Sequence, residues 1–172
     1  VTGVQTCALP IYTDPVELQL LTKQAHDEAV HFRMVKDVIE HIQGAPVDVE
    51  KAIANEAKAN TAKGASLLAK YGCEDDPVAL ATYQLVAEGR AEAVWDQMAN
   101  CVEDEFISNS YAKIARDEGF HAKIGARKLE QLVQDEATQQ RVEELVAKMR
   151  KDLYEISCRN TVAVAEGRDL VS

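Results

Sequence analysis

The sequence predicts an all-α bundle. Alanine, leucine, valine, glutamate and lysine dominate, aromatic residues make up only 5% of the chain, and no stretch alternates apolar with polar residues as a half-buried strand would. A length of 172 residues, 47% of them hydrophobic, suits one domain around one core. The formal charge of −10, from 29 acidic and 19 basic side chains, repels phosphate backbones and anionic head groups, which argues against nucleic acid and membrane surfaces as partners. No apolar run approaches the roughly 18 to 20 residues of a membrane span. Cys7, Cys73, Cys101 and Cys158 form no CxxC pair and read as thiols of a reducing cytoplasm.

The helices follow in order. Asp14-Pro15-Val16-Glu17 supplies an N-cap acid, a first-turn proline and a glutamate at the third position, which predicts a helix to about Gln43, stopped by Gly44 and Pro46. A second helix is expected from Asp48 to about Tyr71-Gly72. Asp76-Pro77 repeats the start signal for a third, reaching about Val102. A polar break is expected over Glu103 to Ser110, then a fourth helix from Tyr111 to Val133. The last, about Glu136 to Ser157, carries Val142, Leu145, Val146, Met149, Leu153 and Ile156 on one stripe and is expected to pack outside the bundle. Val1 to Ile11 have neither charge nor helical period. They look like the conceptual translation of a sequencing-library adapter, which divides the chain into an artefact at 1–12 and a domain at 13–172.

One pattern recurs: Asp27-Glu28-x-x-His31 and Asp117-Glu118-x-x-His121. Residues three apart on a helix share a face, so each glutamate and histidine can offer an oxygen and a nitrogen to one ion. Both pairs interrupt apolar stripes: Leu21, Ala25, Val35, Val38 and Ile42 on the first helix, and Ile107, Tyr111, Ile114, Gly125 and Leu132 on the fourth. Ionised carboxylates in a core cost several kcal/mol each unless compensated, and cations are the obvious compensation. On the third helix, Ala81, Leu85, Glu88, Glu92, Trp95 and Val102 form the expected inner face. Folding helices three and four about a bend near Glu103 sets Glu88 opposite Glu118, where it would bridge two ions. Glu92, one turn on, is a supporting acid or an extra ligand. A carboxylate reciprocal to Glu88 would fall before residue 1, so a first helix is expected to be missing. His26 and His41 lie off the stripe, and Trp95, Met98 and Tyr111 read as core packing.

These residues resemble the ferritin-like di-iron carboxylate superfamily over positions 14 to about 135, in which two helices each give a Glu and two others each give Glu-x-x-His. The segments DEAVHFRMVKDVIEHIQG, LVAEGRAEAVWDQM and IARDEGFHAKIGARKLEQL are most similar to bacterial oxygenase-like members, including the phenylacetyl-CoA epoxidase subunit family. The resemblance implies a ferritin-like four-helix bundle lacking its first helix, with a crossover helix and a C-terminal helix added. It implies two iron ions, with manganese the alternative, held by Glu28, His31, Glu88, Glu118 and His121, and histidines oriented by Asp27 and Asp117. It further implies O2 and a small organic or CoA-linked substrate, an external reductase, and a homo- or hetero-oligomer. Iron or peroxide handling of the rubrerythrin or ferritin kind, and a non-catalytic helical subunit of an oxygenase complex, remain as alternatives.

Overall fold

The computed structural model describes residues 14–54 and 67–165, apart from the side chains of 159–165. The proposed adapter segment and the middle of the expected second helix lie outside these residues. Among the described residues the chain is all-α, with no strand, and no helix is long and apolar enough to cross a membrane. The elements are α1 (Pro15–Gln43), α2 (Leu67–Lys70), α3 (Pro77–Cys101), α4 (Glu105–Leu132) and α5 (Glu136–Ala165). Further helical backbone occupies 49–54, at the start of the crossover.

The helix ends follow from local chemistry. Asp14 accepts from the Val16 amide, and Gly44 closes α1 at φ +66°, a left-handed conformation that costs glycine nothing. Asp76 accepts from the Val78 and Ala79 amides to start α3. The break after α3 is shorter than expected, since α4 starts at Glu105 rather than Tyr111. Asp104 caps the Ile107 amide at 3.0 Å. Ser108 and Ser110, which suggested a loop, donate to the carbonyls of Ala99 and Phe106 and are absorbed into the helix. Asp104 as the cap and Glu105 in the first turn put negative charge at the N-terminus of α4.

The α3–α4 hairpin is the core. Ala79, Ala81, Val86 and Ala99 of α3 are buried with Ile107, Ile114, Ala115, Ala122, Ile124 and Leu129 of α4. Gly125 permits the closest approach: a Cβ there would lie 2.7 Å from the Leu85 amide nitrogen and 2.8 Å from the Ala81 carbonyl oxygen. The two backbones touch at this level, one turn beyond His121. On the outer side, α5 packs on α3, with Met149 fully buried. Arg141 pairs with Asp76 and Arg90 with Ser157, so α5 runs parallel to α3.

By contrast, α1 lies antiparallel to α4 and is tied to it by a series of polar rungs. These are Glu17 with Lys128 at 2.8 Å, Asp27 with His121 and His31 with Asp117 at 3.1 Å each, and His41 with Asp104 at 2.8 Å. Only Asp27, His31 and Val38 of α1 are buried. Its buried stripe is therefore rotated from the expected one, centring on Asp27 and His31 and leaving Ala25 exposed. Ile42 is 65% exposed, because the last turn of α1 meets the α3–α4 turn through His41, which also packs on Phe106.

The Gly125 contact supplies a test of the hairpin. Gly125→Ala should force α3 and α4 apart and lower stability by about 1–3 kcal/mol in denaturant unfolding; a neutral effect would mean that the backbones are not in contact.

Candidate metal centre

The centre sits where α1, α3 and α4 meet, halfway along each helix. Glu28, Glu88, Glu118 and His121 each offer one ligand atom, and these four atoms lie within 4.8 Å of one another. His31 approaches from the other side. Its Nδ1 is 3.4 Å from Glu118 Oε1 and 3.9 Å from Glu28 Oε2, and the two imidazole centroids are 5.9 Å apart. His121 Nδ1 stands 3.4 Å from both Glu118 Oε2 and Glu28 Oε1. Each of these two glutamates thus turns one oxygen toward each histidine. Glu28 and Glu118 lie between the two histidines, and Glu88, for which the sequence suggested a bridging place, groups with them on the His121 side.

Both histidines are oriented by the opposite motif. His31 Nε2 donates to Asp117 Oδ2 and His121 Nε2 to Asp27 Oδ2, each at 3.1 Å, since a carboxylate can only accept. This turns Nδ1 of both rings inward. Asp27 and Asp117 reach across because they sit one residue, or about 100° of helix, before the glutamates. Each is in turn paired with a lysine four residues earlier, Lys23 and Lys113. The sequence reading missed these lysines, although the echo can be extended to K-x-x-x-D-E-x-x-H in both copies. It also missed Gln24, whose Nε2 donates to Glu88 Oε1 at 3.1 Å.

The electrostatics are those of a site crowded with like charge. Burial first, then the neighbouring Glu118 and Glu28 carboxylates, push the Glu88 carboxyl up to about 8. Burial acts against a charged His121, but the nearby Glu118 and Glu28 carboxylates at Nδ1 and the Asp27 hydrogen bond at Nε2 outweigh it and raise the imidazolium to about 10. Glu118 is held below its ordinary value: burial opposes this, and the contacts with His121 and Glu88 overcome it. Asp27 and Asp117 are also depressed, because Lys23 with His121 and Lys113 with His31 outweigh burial.

Among the described residues, three buried side-chain atoms have no hydrogen-bond partner: His31 Nδ1, His121 Nδ1 and Glu118 Oε2. Unsatisfied buried polar atoms are costly, commonly about 1–3 kcal/mol each. All three face the same space, and once His121 has lost its Nδ1 proton all three are lone-pair donors suited to first-row transition metals. The residues therefore fit such a metal ion. Glu28 is about half exposed, so the centre opens to solvent on the α1 side.

Glu92 does not join this set. It is exposed and lines a groove of about 1120 Å³ between α3, α4 and α5, with its carboxylate where a Cβ at position 119 would be. Gly119 has no side chain to fill that space, so Glu92 folds over the α4 backbone instead of pointing at the ligands. His26 is exposed, and Trp95 and Tyr111 pack together with centroids 5.1 Å apart, as a pair of apolar rings.

Comparisons with protein-family models, with curated proteins and with solved structures gave no match.

The Asp27–His121 contact can be measured directly. Both partners are largely buried, so a double-mutant cycle over Asp27→Ala and His121→Ala should return a coupling of about 1.5–3 kcal/mol in chemical denaturation. Additive single effects would mean that the aspartate does not hold the imidazole.

Proposed function

We propose that the chain is a ferritin-like di-metal protein that holds two iron ions and uses them to activate O2 toward a small organic or CoA-linked substrate. The observation that carries the metal reading is the crossed pair of histidines, each held at Nε2 by an aspartate of the other helix, with both Nδ1 atoms and Glu118 Oε2 unpartnered and inward. Glu28, His31, Glu88, Glu118 and His121 would hold the ions. Support for iron and for oxygenase chemistry comes from the resemblance of the three ligand-bearing segments; the same donor set also accommodates manganese. When bound, iron would supply the one-electron and O2 chemistry that side chains cannot perform.

The protein's own contribution is positional and electrostatic. Asp27 and Asp117 fix which ring nitrogen is free, and their charges raise the donor strength of the imidazoles. Lys23 and Lys113 keep those aspartates ionised and offset part of the negative charge of five neighbouring carboxyl groups. The solvent-facing Glu28 leaves a side on which small molecules can reach the centre. No cysteine pair or nucleotide-binding motif accompanies the site in the sequence, so an external reductase would supply electrons.

Metal titration tests the reading. The chain should bind ferrous or manganous ion, and Glu118→Ala should abolish binding; a chain that binds no divalent transition metal would refute it. At pH 7 Glu88, at about 8, and His121, at about 10, both still carry the protons that a metal must displace. Binding should therefore release about two protons per chain at pH 7, and affinity should rise from pH 6 to pH 8. Affinity that falls or stays level over that range would contradict the assignment of these groups. The ferrous protein, given a reductant and phenylacetyl-CoA as probe, should incorporate label from isotopic oxygen into the organic product. Consumption of peroxide or storage of iron without incorporation would instead assign peroxide or iron handling.

A further inference from the structure

Among the described residues, two side-chain hydrogen bonds join α1 to α3, and both pass through Gln24. Gln24 Nε2 donates to Glu88 Oε1 at 3.1 Å, while Gln24 Oε1 accepts from Gln84 Nε2 at 2.6 Å. A glutamine amide fits its space equally well either way round, and its partners choose the orientation. With Gln84 donating to the amide oxygen, the Gln24 NH2 must face Glu88. One Glu88 oxygen is thereby held on α1, and the other is left for the centre.

Among the described residues, the His31 side has no such arrangement. The two motif copies are superimposable by position, so the counterpart of Gln24, four residues before the glutamate, is Ile114 on α4. Ile114 is fully buried and can hold no carboxylate. His31 is also absent from the four-residue set whose ligand atoms lie within 4.8 Å, and its distance to Glu28 is 3.9 Å against 3.4 Å for His121. The centre is built symmetrically in its histidines, aspartates and lysines, yet asymmetrically in what surrounds them. A ligand already held in place loses less freedom on binding, and that difference appears as affinity.

Building on the metal-centre reading, we infer that Gln24 is a positioning residue that presets Glu88 and makes the His121 side the first and tighter of two ion sites. Gln84 acts one step further out, by fixing the Gln24 amide.

Cobalt(II) titration of the whole chain, followed by visible absorption, tests this. The unaltered protein should take up a first equivalent at least about tenfold more tightly than a second. Gln24→Leu should weaken the first equivalent by about 10–100-fold and leave the second unchanged, as loss of a ligand-orienting hydrogen bond does. Gln84→Leu should weaken the same equivalent by a smaller factor. His121→Ala should remove the tight equivalent, and His31→Ala only the weak one. Two equal affinities, equal weakening of both equivalents by Gln24→Leu, or loss of the tight equivalent in His31→Ala would each overturn the proposal while leaving the metal centre intact. Absence of any cobalt binding would sink the metal reading and this inference together. Helix content and unfolding of the ion-free variants are read alongside. A fall in both without selective loss of the first equivalent assigns Gln24 to packing and overturns its positioning role.

Discussion

The rest of the molecule is arranged around the reciprocal hold between α1 and α4, in which each helix lends an aspartate to the other's histidine. Asp27 to His121 and Asp117 to His31 are two bonds between the same two antiparallel helices, and together they admit one register only. A slip of one residue would turn both aspartates about 100° away from their partners. With the register set, Glu28 and Glu118 are obliged to face each other, being the next residues along. The α3–α4 hairpin then decides what else reaches the space between them, and it delivers Glu88.

This hold places unusual weight on electrostatics. The hairpin is fastened by apolar side chains and by backbone contact at Gly125, whereas α1 fully buries one apolar side chain, Val38, half-buries others such as Leu21 and Met34, and carries a row of ion pairs and hydrogen bonds to its neighbours. Large apolar residues of α1, Val16, Phe32 and Ile42, remain exposed. Docking of α1 and the charge state of the centre are therefore linked: whatever neutralises the carboxylates also favours the helix that carries Glu28 and His31. In the absence of an ion, protons on Glu88 and His121 perform part of that neutralisation.

The same logic separates the centre from the neighbouring groove. Small residues on α3 and α4, Gly89, Gly119 and Ala122, follow immediately after ligand candidates Glu88, Glu118 and His121, so the helix face next to the centre is bare. Glu92 and the side chains of α5 occupy that face. An acid one turn from Glu88 is thereby committed to a different surface, which helical spacing alone does not reveal.

Much of this was legible in the sequence. Capping acids followed by proline fixed the starts of α1 and α3 to within a residue, Gly44 fixed an end, and the repeated Asp-Glu-x-x-His marked the residues that converge. Those features are local: a cap acts within four residues, and a helix puts i and i+3 on one face whatever surrounds it. Only the tertiary structure decided which carboxylates lie between the histidines, why Glu92 is turned away, and how Gln24 and Gln84 reach Glu88 across two helices. Each of these depends on the crossing and rotation of α1, α3 and α4 relative to one another, and helical periodicity carries no information about the azimuth at which one helix meets the next.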